Sequence, residues 1–413
     1  MLGVKIEIFK KIGFVFIFLL VAIGMGFVIY RIFFGPLVRE PATNVNISLP
    51  PGTLPPTNVN INAGVIIRNI NGVQEVVLPA IDTVARGGNT LAEDVPAEAV
   101  SNAEVTERGI VYYNEFEGKF YTLDKDGKPQ TLTDDVYRSA EEITWSPEGS
   151  KAILEFPDGS NILYDFDSKK QTTLPKELSD FSFAPSGGEI AFKFLTDRKE
   201  HRWLGVSSPD GSQARGIEQL GENAEKVTVD WSPSGQVIAT FRESVNAEDN
   251  EITFVGLNDE NFKGLVVQGR GFQSQWSPAG DRLLYSVYNA QGNYQPELWI
   301  TDAQGENIGR NNVPLKINTW ADKCTFSVNT AIYCAVPQTL PYGAGIVPDL
   351  AASTPDIFYK IDLATGTKTV IAYPVDSSGN SRFSAEKLYV GNDGKNLFFT
   401  DKQTRKLQKI RLE

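Results

Sequence analysis

Very few side chains in this 413-residue chain are suited to catalysis or metal binding. His201 is the sole histidine. A metal site built from several histidines therefore cannot form, and any Ser-His-Asp triad would have to use His201 as its base. Residues 124–127, Asp-Lys-Asp-Gly, begin like a calcium-binding loop but lack the later ligands and fall where a strand-to-strand turn is expected. We therefore predict no catalytic residue, no bound metal and no cofactor, and expect a protein that is not an enzyme.

The two cysteines, Cys324 and Cys334, flank a predicted turn at residues 327–330. Such a turn places them on neighbouring antiparallel strands, where facing Cβ atoms lie about 4.5–5.5 Å apart. That distance is within reach of a disulfide at a non-hydrogen-bonded pair. We predict a disulfide if this part of the chain is exported, and two buried thiols if it stays in the cytosol.

A phrase of the form aromatic-Ser/Ala-Pro-x-Gly recurs four times, each time followed by two apolar residues. The copies occupy residues 145–149, 183–187, 231–235 and 276–280. Ser-Pro-x-Gly favours a type I turn, and the glycine supplies the positive φ that a hairpin needs after it. Each copy therefore predicts a strand, a tight turn and a buried strand, with the aromatic residue wedged between neighbouring units.

Two further strand-like runs follow each copy, which gives four antiparallel strands, here called a to d, per unit. Units of this kind repeated around a ring are the blades of an all-β propeller. The prolines of the four copies are 38, 48 and 45 residues apart. Degenerate copies at residues 324–329 and 389–394, with a first strand near 100–105, favour seven blades; six and eight remain alternatives.

The last blade reaches the end of the chain without a fourth strand. A propeller ring commonly closes by borrowing a strand from the other terminus, so we expect residues 65–70 or 76–78 to complete this blade.

The amino-terminal part differs from the rest in composition. Residues 12–34 carry no charge except Arg31, a length that matches a transmembrane helix better than the short apolar core of a cleaved signal peptide. We predict a cytoplasmic segment at 1–11, a signal-anchor helix at 12–34, a Pro- and Asn-rich linker at 35–63 and the propeller at 64–413. The spacing of Ala22 and Gly26 would allow self-association of the protein through the helix.

Charge separates the same regions. The first 40 residues carry five basic and two acidic side chains and the whole chain has a net charge of −12, which leaves −15 on the remainder. The slight excess of lysine before the helix favours a cytoplasmic amino terminus, with the propeller in the periplasm or at the cell surface. An acidic ring repels phosphates, so we expect no nucleic-acid partner.

Long loops between strands b and c are the expected place for binding. Such loops are predicted at residues 195–202, 243–251, 287–297 and 336–356, whereas the a–b and c–d turns are tight. The side chains on these loops that are suited to a protein or glycan contact are Arg198, His201, Arg202, Tyr288, Tyr294 and Tyr342. The alternative is that these loops are simply solvated.

The Trp-Ser-Pro-x-Gly phrases, and strand endings such as Gln130-Thr131-Leu132-Thr133, resemble the propeller repeats of TolB-like and WD-like repeat proteins. The resemblance covers roughly residues 100 to 413. It implies a propeller. TolB works in a cell-envelope complex and has a separate amino-terminal α/β domain, whereas this chain has a predicted anchor and linker in that place, so the resemblance does not imply an equivalent role.

We therefore expect a non-enzymatic, membrane-anchored, extracytoplasmic propeller that binds or scaffolds an envelope or surface protein. A surface receptor for glycans or peptides is the first alternative. A hydrolase that uses carboxylates alone, placed along the central channel, is the second.

Overall fold

The computed structural model describes residues 66–70 and 73–77 as strands, and residues 80–124, 127–260 and 262–413 in full. The repeated phrase forms the predicted turn. In every copy the glycine N–H donates to the carbonyl oxygen of the Ser or Ala, at 2.8 Å. In the three copies with serine, its Oγ also accepts from the backbone N–H two residues beyond the glycine. All four glycines have φ between 66° and 77°, the region that favours glycine.

Seven sheets of the predicted kind follow one another along the chain, and each has its strands in the order a–b–c–d. Blade 1 consists of β5 (Val100–Thr106), β6 (Gly109–Asn114), β7 (Lys119–Leu123) and β8 (Pro129–Thr131). Blade 2 consists of β9 (Glu142–Trp145), β10 (Lys151–Glu155), β11 (Asn161–Asp165) and β12 (Lys170–Leu174). Blade 3 consists of β13 (Leu178–Phe183), β14 (Ile190–Phe194), β15 (Trp203–Ser207) and β16 (Arg215–Gln219).

The remaining blades repeat this plan. Blade 4 consists of β17 (Val227–Val229), β18 (Ala239–Ser244), β19 (Asn250–Val255) and β20 (Leu265–Val267). Blade 5 consists of β21 (Arg270–Trp276), β22 (Arg282–Tyr288), β23 (Glu297–Asp302) and β24 (Val313–Pro314). Blade 6 consists of β25 (Cys324–Val328), β26 (Ala331–Pro337), β27 (Asp356–Asp362) and β28 (Lys368–Val375), and blade 7 begins with β29 (Ala385–Val390), β30 (Asn396–Asp401) and β31 (Leu407–Arg411).

Short 3₁₀ helices occupy some of the connections between strands. They are Lys199–His201, Gly221–Lys226, Gly305–Asn307, Ala321–Lys323 and Pro348–Ala351. None of the helices in the described part of the chain is long and apolar enough to cross a bilayer. The predicted cytoplasmic segment, anchor helix and linker at residues 1–63 lie outside the described residues and stay predictions.

A segment from the amino-terminal part of the chain closes the ring, as expected. The predicted choice of residues 65–70 or 76–78 for this segment was wrong. β4 (Glu93–Asp94) pairs antiparallel with β31 and is the fourth strand of blade 7. β3 (Asn89–Leu91) adds a parallel fifth strand to blade 6 beside β28. The strands from the predicted region, β1 (Ile66–Ile70) and β2 (Val73–Val77), pair with each other instead. Because β1 and β2 form backbone hydrogen bonds with each other, they do not need blade 7 as a partner. The shorter, polar β4 completes that blade instead.

The core is divided among the seven junctions between neighbouring blades. Each junction has its own cluster of buried apolar side chains. The aromatic residue of the phrase lies in these clusters, as Trp145 shows: it packs with Phe120 of blade 1, and its indole N–H donates to the carbonyl oxygen of Asn102 at 2.7 Å. Each blade is therefore stabilised by its two neighbours rather than by a core of its own.

The predicted disulfide is confirmed. Cys324 of β25 and Cys334 of β26 face each other in the antiparallel register, with Cα atoms 4.0 Å apart, and they are bonded. Facing residues this close belong to the non-hydrogen-bonded pairs of a ladder. The bond joins the first two strands of blade 6, where Val328 stands in place of the proline of the phrase.

Ring closure generates a test at Val95, the residue after β4. Its N–H donates to the carbonyl oxygen of Leu407 at 3.0 Å, and its side chain is buried at the junction of blades 7 and 1. Val95→Pro should lower the free energy of unfolding by about 3 kcal/mol, because it removes this donor and leaves a buried acceptor unpaired. Val95→Ala, which keeps the N–H but removes two buried carbons, should cost less, about 2 kcal/mol. Equal shifts of the two urea midpoints would contradict this role of the hydrogen bond.

Candidate binding site

The four predicted b–c loops are present with modified limits. They span residues 195–202, 245–249, 289–296 and 338–355, between the b and c strands of blades 3 to 6. The loop predicted at 243–251 is shorter than expected, because β18 and β19 stay paired as far as Ser244 and Asn250. The loop of blade 6 is the longest of the four, as predicted.

The three predicted tyrosines lie together. Tyr288 ends β22, Tyr294 follows in the loop of blade 5, and Tyr342 belongs to the loop of blade 6. The ring centroids of Tyr288 and Tyr294 are 6.4 Å apart, those of Tyr294 and Tyr342 are 5.7 Å apart, and both pairs meet edge to face. This is a favourable geometry for aromatic rings. The two loops therefore form one continuous surface.

Backbone contacts fix the loops of blades 5 and 6 to each other. The N–H of Gly343 donates to the carbonyl oxygen of Asn293 at 3.0 Å, and that of Gly345 donates to Tyr294 at 2.7 Å. A Cβ atom on Gly345 would lie 2.6 Å from the Cβ of Tyr288. This position accordingly requires glycine for close approach of the two chains.

Contacts with Trp320, Gln295 and Lys402 also hold the long loop in place. Ala344 and Ala351 pack on the buried Trp320, and the side-chain amide of Gln295 donates to the carbonyl oxygen of Leu340 at 2.6 Å. Asp349 forms an ion pair of 2.9 Å with Lys402 of blade 7. Hydrogen bonding and charge from Lys402 lower the pKa of that carboxyl group. The loop is thus attached to blades 5, 6 and 7.

A buried ion pair lies at the base of the loop. Lys323 Nζ is 2.8 Å from the carboxylate of Asp356, the first residue of β27, and both side chains are buried. The same carboxylate accepts from the N–H of Ala385 in blade 7 at 2.7 Å. Burial raises the pKa of Asp356, whereas Lys323 acts in the opposite direction. Removal of one partner would leave a buried charge uncompensated.

The long loop exposes four large apolar side chains. Tyr342, Ile346, Val347 and Leu350 are 48–69% exposed, and we call these four residues the apolar loop surface. Sequence reasoning found only Tyr342. The other three were missed because an apolar residue in a loop is normally expected to be buried; their proximity to one another along a Pro- and Gly-containing loop was the available signal.

The predicted basic residues do not join this surface. Arg198, His201 and Arg202 lie in the loop of blade 3, separated by blade 4 from the nearest tyrosine. Arg202 Nε donates to the carbonyl oxygen of Thr196 at 3.0 Å, while Arg198 and His201 are exposed. The six residues predicted for one face therefore occupy two separate places.

Charged residues from several blades meet at the centre of the ring. Burial raises the pKa of Asp230 to about 7, and the charge of Glu104 adds to the shift. Lys387 forms an ion pair of 2.9 Å with Glu104. Burial lowers the pKa of Lys387, but the charges of Glu104 and other neighbours raise it by more, so the pKa is raised overall. These three residues come from blades 4, 1 and 7. Blade 4 is not a neighbour of blades 7 and 1 and approaches them only at the axis of the ring.

A second group of acids lies nearer the b–c loops. Glu142 and Glu155 face each other on β9 and β10. Burial raises the pKa of Glu155 to about 7, and the charge of Glu142 contributes. The backbone N–H of Asp180 donates to Glu155 at 3.3 Å, and the carboxylate of Asp180 lies 2.7 Å from Lys193 Nζ. Asp180 has φ +56° at a bulge of β13, an unusual conformation for a residue other than glycine.

The calcium-like start at residue 124 lies at a c–d turn, as expected. The N–H of Gly127 donates to the backbone carbonyl of Asp124 at 2.9 Å, and the Asp124 carboxylate accepts from the N–H of Lys128 at 2.8 Å. These are the hydrogen bonds of a turn between strands.

The comparisons with known proteins concern the fold. Neither a protein-family model nor a curated protein matches the chain. Among solved structures, the Cps50 (Swd1) propeller domain of Myceliophteria thermophila is 8% identical over 78% of this chain and 100% of that chain, with a TM-score of 0.49. Tricorn protease is 9% identical over 78% of this chain and 34% of its own, with a TM-score of 0.47, so the chain spans about a third of that protein. An oligogalacturonate lyase in complex with manganese is 13% identical over 74% of this chain and 86% of its own, with a TM-score of 0.45.

The raised pKa of Asp230 predicts a pH-dependent stability. Because the folded-state pKa of about 7 exceeds the ordinary value of an unfolded aspartate, the fold disfavours the ionised form, and stability should fall as the pH rises from about 4 to about 7. Asp230→Asn should reduce this dependence, leaving the part that the raised pKa of Glu155 contributes, and stabilise the protein at pH 8 by on the order of 1–2 kcal/mol, allowing for screening by water. Urea midpoints across this range test it, with Asp158→Asn as the exposed control. A wild-type slope that persists in Asp230→Asn would contradict the assignment.

Proposed function

We propose that this protein is a non-enzymatic binding scaffold of the cell envelope. Residues 12–34 anchor it in the membrane with the amino terminus in the cytoplasm, and the propeller outside the cytoplasm binds another envelope protein. The observation that carries the proposal is the apolar loop surface, which is exposed and held in place from three blades.

The fixed position of the loop favours binding. A loop that must become ordered on association loses conformational entropy, which weakens the complex. Here the hydrogen bonds to blade 5, the contacts with Trp320 and the ion pair to Lys402 hold the loop before a partner arrives.

The chemistry of the surface favours a protein partner. An exposed tyrosine beside aliphatic side chains is typical of the centre of a protein–protein interface. The net charge of −12 disfavours a polyanionic partner. The disulfide of blade 6 supports a location outside the cytosol, where such bonds persist.

Site-specific crosslinking of the full chain in its native membrane tests the proposal. A photoreactive residue at Val347 should capture a discrete envelope protein, whereas one at Phe116, which is 77% exposed on a loop of blade 1, should not. Tyr342→Ala combined with Leu350→Ala should reduce capture at least tenfold, because truncated interface anchors typically cost 1–2 kcal/mol or more each. Phe116→Ala is the matched control. Identical capture at both positions, or capture unchanged by the double variant, would refute the proposed surface.

A carboxylate-only hydrolase is the second candidate, and the facing pair of Glu142 and Glu155 favours it. Glu155, with a pKa of about 7, would be half protonated at neutral pH, as a general acid requires, beside a second carboxyl group. Hydrolysis of an oligosaccharide by the purified chain, lost in Glu155→Gln but retained in Asp158→Asn, would support this candidate. Turnover that survives Glu155→Gln would exclude the pair.

A further inference from the structure

A cavity of about 480 Å³ opens between blades 2 and 3, away from the apolar loop surface. Its walls include Leu178, Phe192, Phe194 and Trp203, and its floor includes Gly205 and Gly216. The inner part of this junction is filled, since Ile153 and Leu163 of blade 2 pack with Phe192 and its neighbours in blade 3. The cavity occupies the outer part, beside strand β16.

Glycine at position 205 leaves this space open. Gly205 faces Phe192 across β14 and β15. In the other blades with the full phrase, the corresponding residues of the c strand are bulky: Ile162, Phe254 and Trp299. A Cβ on Gly205 would lie 2.8 Å from the ring of Phe192, and one on Gly216 would lie 2.9 Å from the ring of Trp203. The aromatic rings therefore lie over glycines and become cavity walls.

The edge of the cavity offers backbone groups for pairing. β16 is the outermost strand of its sheet, so one side of its backbone has no strand partner in the described part of the chain. An extended peptide that pairs with such an edge sends alternate side chains to one face of the sheet. At Gly216 that face is the cavity.

The charge at the cavity favours an acidic peptide. Arg215, which begins β16 and lines the cavity, is exposed and forms no ion pair with the residues that the structure describes. Among the residues that line the cavity, Arg215 is the only charged one, and its charge complements an acidic residue of a ligand.

We propose that this cavity and the edge of β16 form a second binding site, which takes an extended acidic segment of a partner protein with an aromatic or leucine side chain inserted into the cavity. The walls exclude water from that side chain, β16 pairs with the backbone of the segment, and Arg215 contacts its carboxylates. The site is independent of the apolar loop surface on blade 6.

Selection of a random twelve-residue peptide library displayed on phage against the full chain tests this proposal. Enriched peptides should share a Phe, Trp or Leu flanked by Asp or Glu. Synthetic copies should bind the Arg215→Glu and Trp203→Ala variants at least tenfold more weakly. Arg242→Glu, the same charge change on an exposed strand position of blade 4, should leave affinity unchanged.

Two further results bear on the same site. Methylation of the peptide amides that face β16 should abolish binding, whereas methylation of the opposite amides should not. Arg215→Glu changes an exposed side chain, so it tests the site even if Trp203→Ala fails to fold. A selection without enrichment, enrichment of peptides that lack the apolar-acidic pattern, or affinity unchanged in Arg215→Glu would overturn the proposal.

Discussion

The whole ring depends on the pairing of residues 89–95 with the carboxyl-terminal blades. β4 supplies two residues to blade 7, β3 adds three to blade 6, and Glu93 forms an ion pair of 2.8 Å with Lys409. Because the core is divided among junctions between neighbouring blades, an open ring would expose the junction of blades 7 and 1. Closure therefore joins seven local interfaces, each modest in size, into one structure whose blades support one another.

The part of the ring that receives these strands also supports the candidate binding surface. Blade 6 carries the fifth strand, the disulfide and the longest of the four predicted loops, and Asp356 at the base of that loop binds both Lys323 and the backbone of blade 7. A buried ion pair gains little net stability, because desolvation opposes the attraction between its charges. Its effect here is geometric: it fixes the point from which the loop leaves the sheet.

The sequence predicted the features that local chemistry determines. The turns followed from Ser-Pro-x-Gly, the blade count from their spacing, and the disulfide from two cysteines across one turn. The closing strand could not be predicted, since Glu93–Asp94 is two polar residues long and has no apolar alternation. The sequence could not show that Ile346, Val347 and Leu350 are exposed, because their exposure depends on what the rest of the loop contacts. It could not show that Arg198 is far from Tyr294 either, because that distance depends on the positions of the blades in the ring.

The two rims of the ring are under different constraints. On the rim of the a–b turns, each full copy of the phrase needs a glycine with positive φ, so its shape is nearly fixed by the repeat. On the opposite rim the b–c loops are free to differ, but a loop of 18 residues needs support to present a defined surface. Adjacent loops supply that support here: blade 5 holds Gly343 and Gly345, and blade 7 holds Asp349. The loop of blade 3 is supported as well, by an ion pair of 3.2 Å between Lys199 and Glu222 and by a hydrogen bond from Gln219 to the carbonyl oxygen of Glu200. It exposes Arg198 and His201 instead of a cluster of apolar side chains. Length and side-chain type alone did not distinguish the two loops, because both loops are held by their surroundings and differ in what they expose.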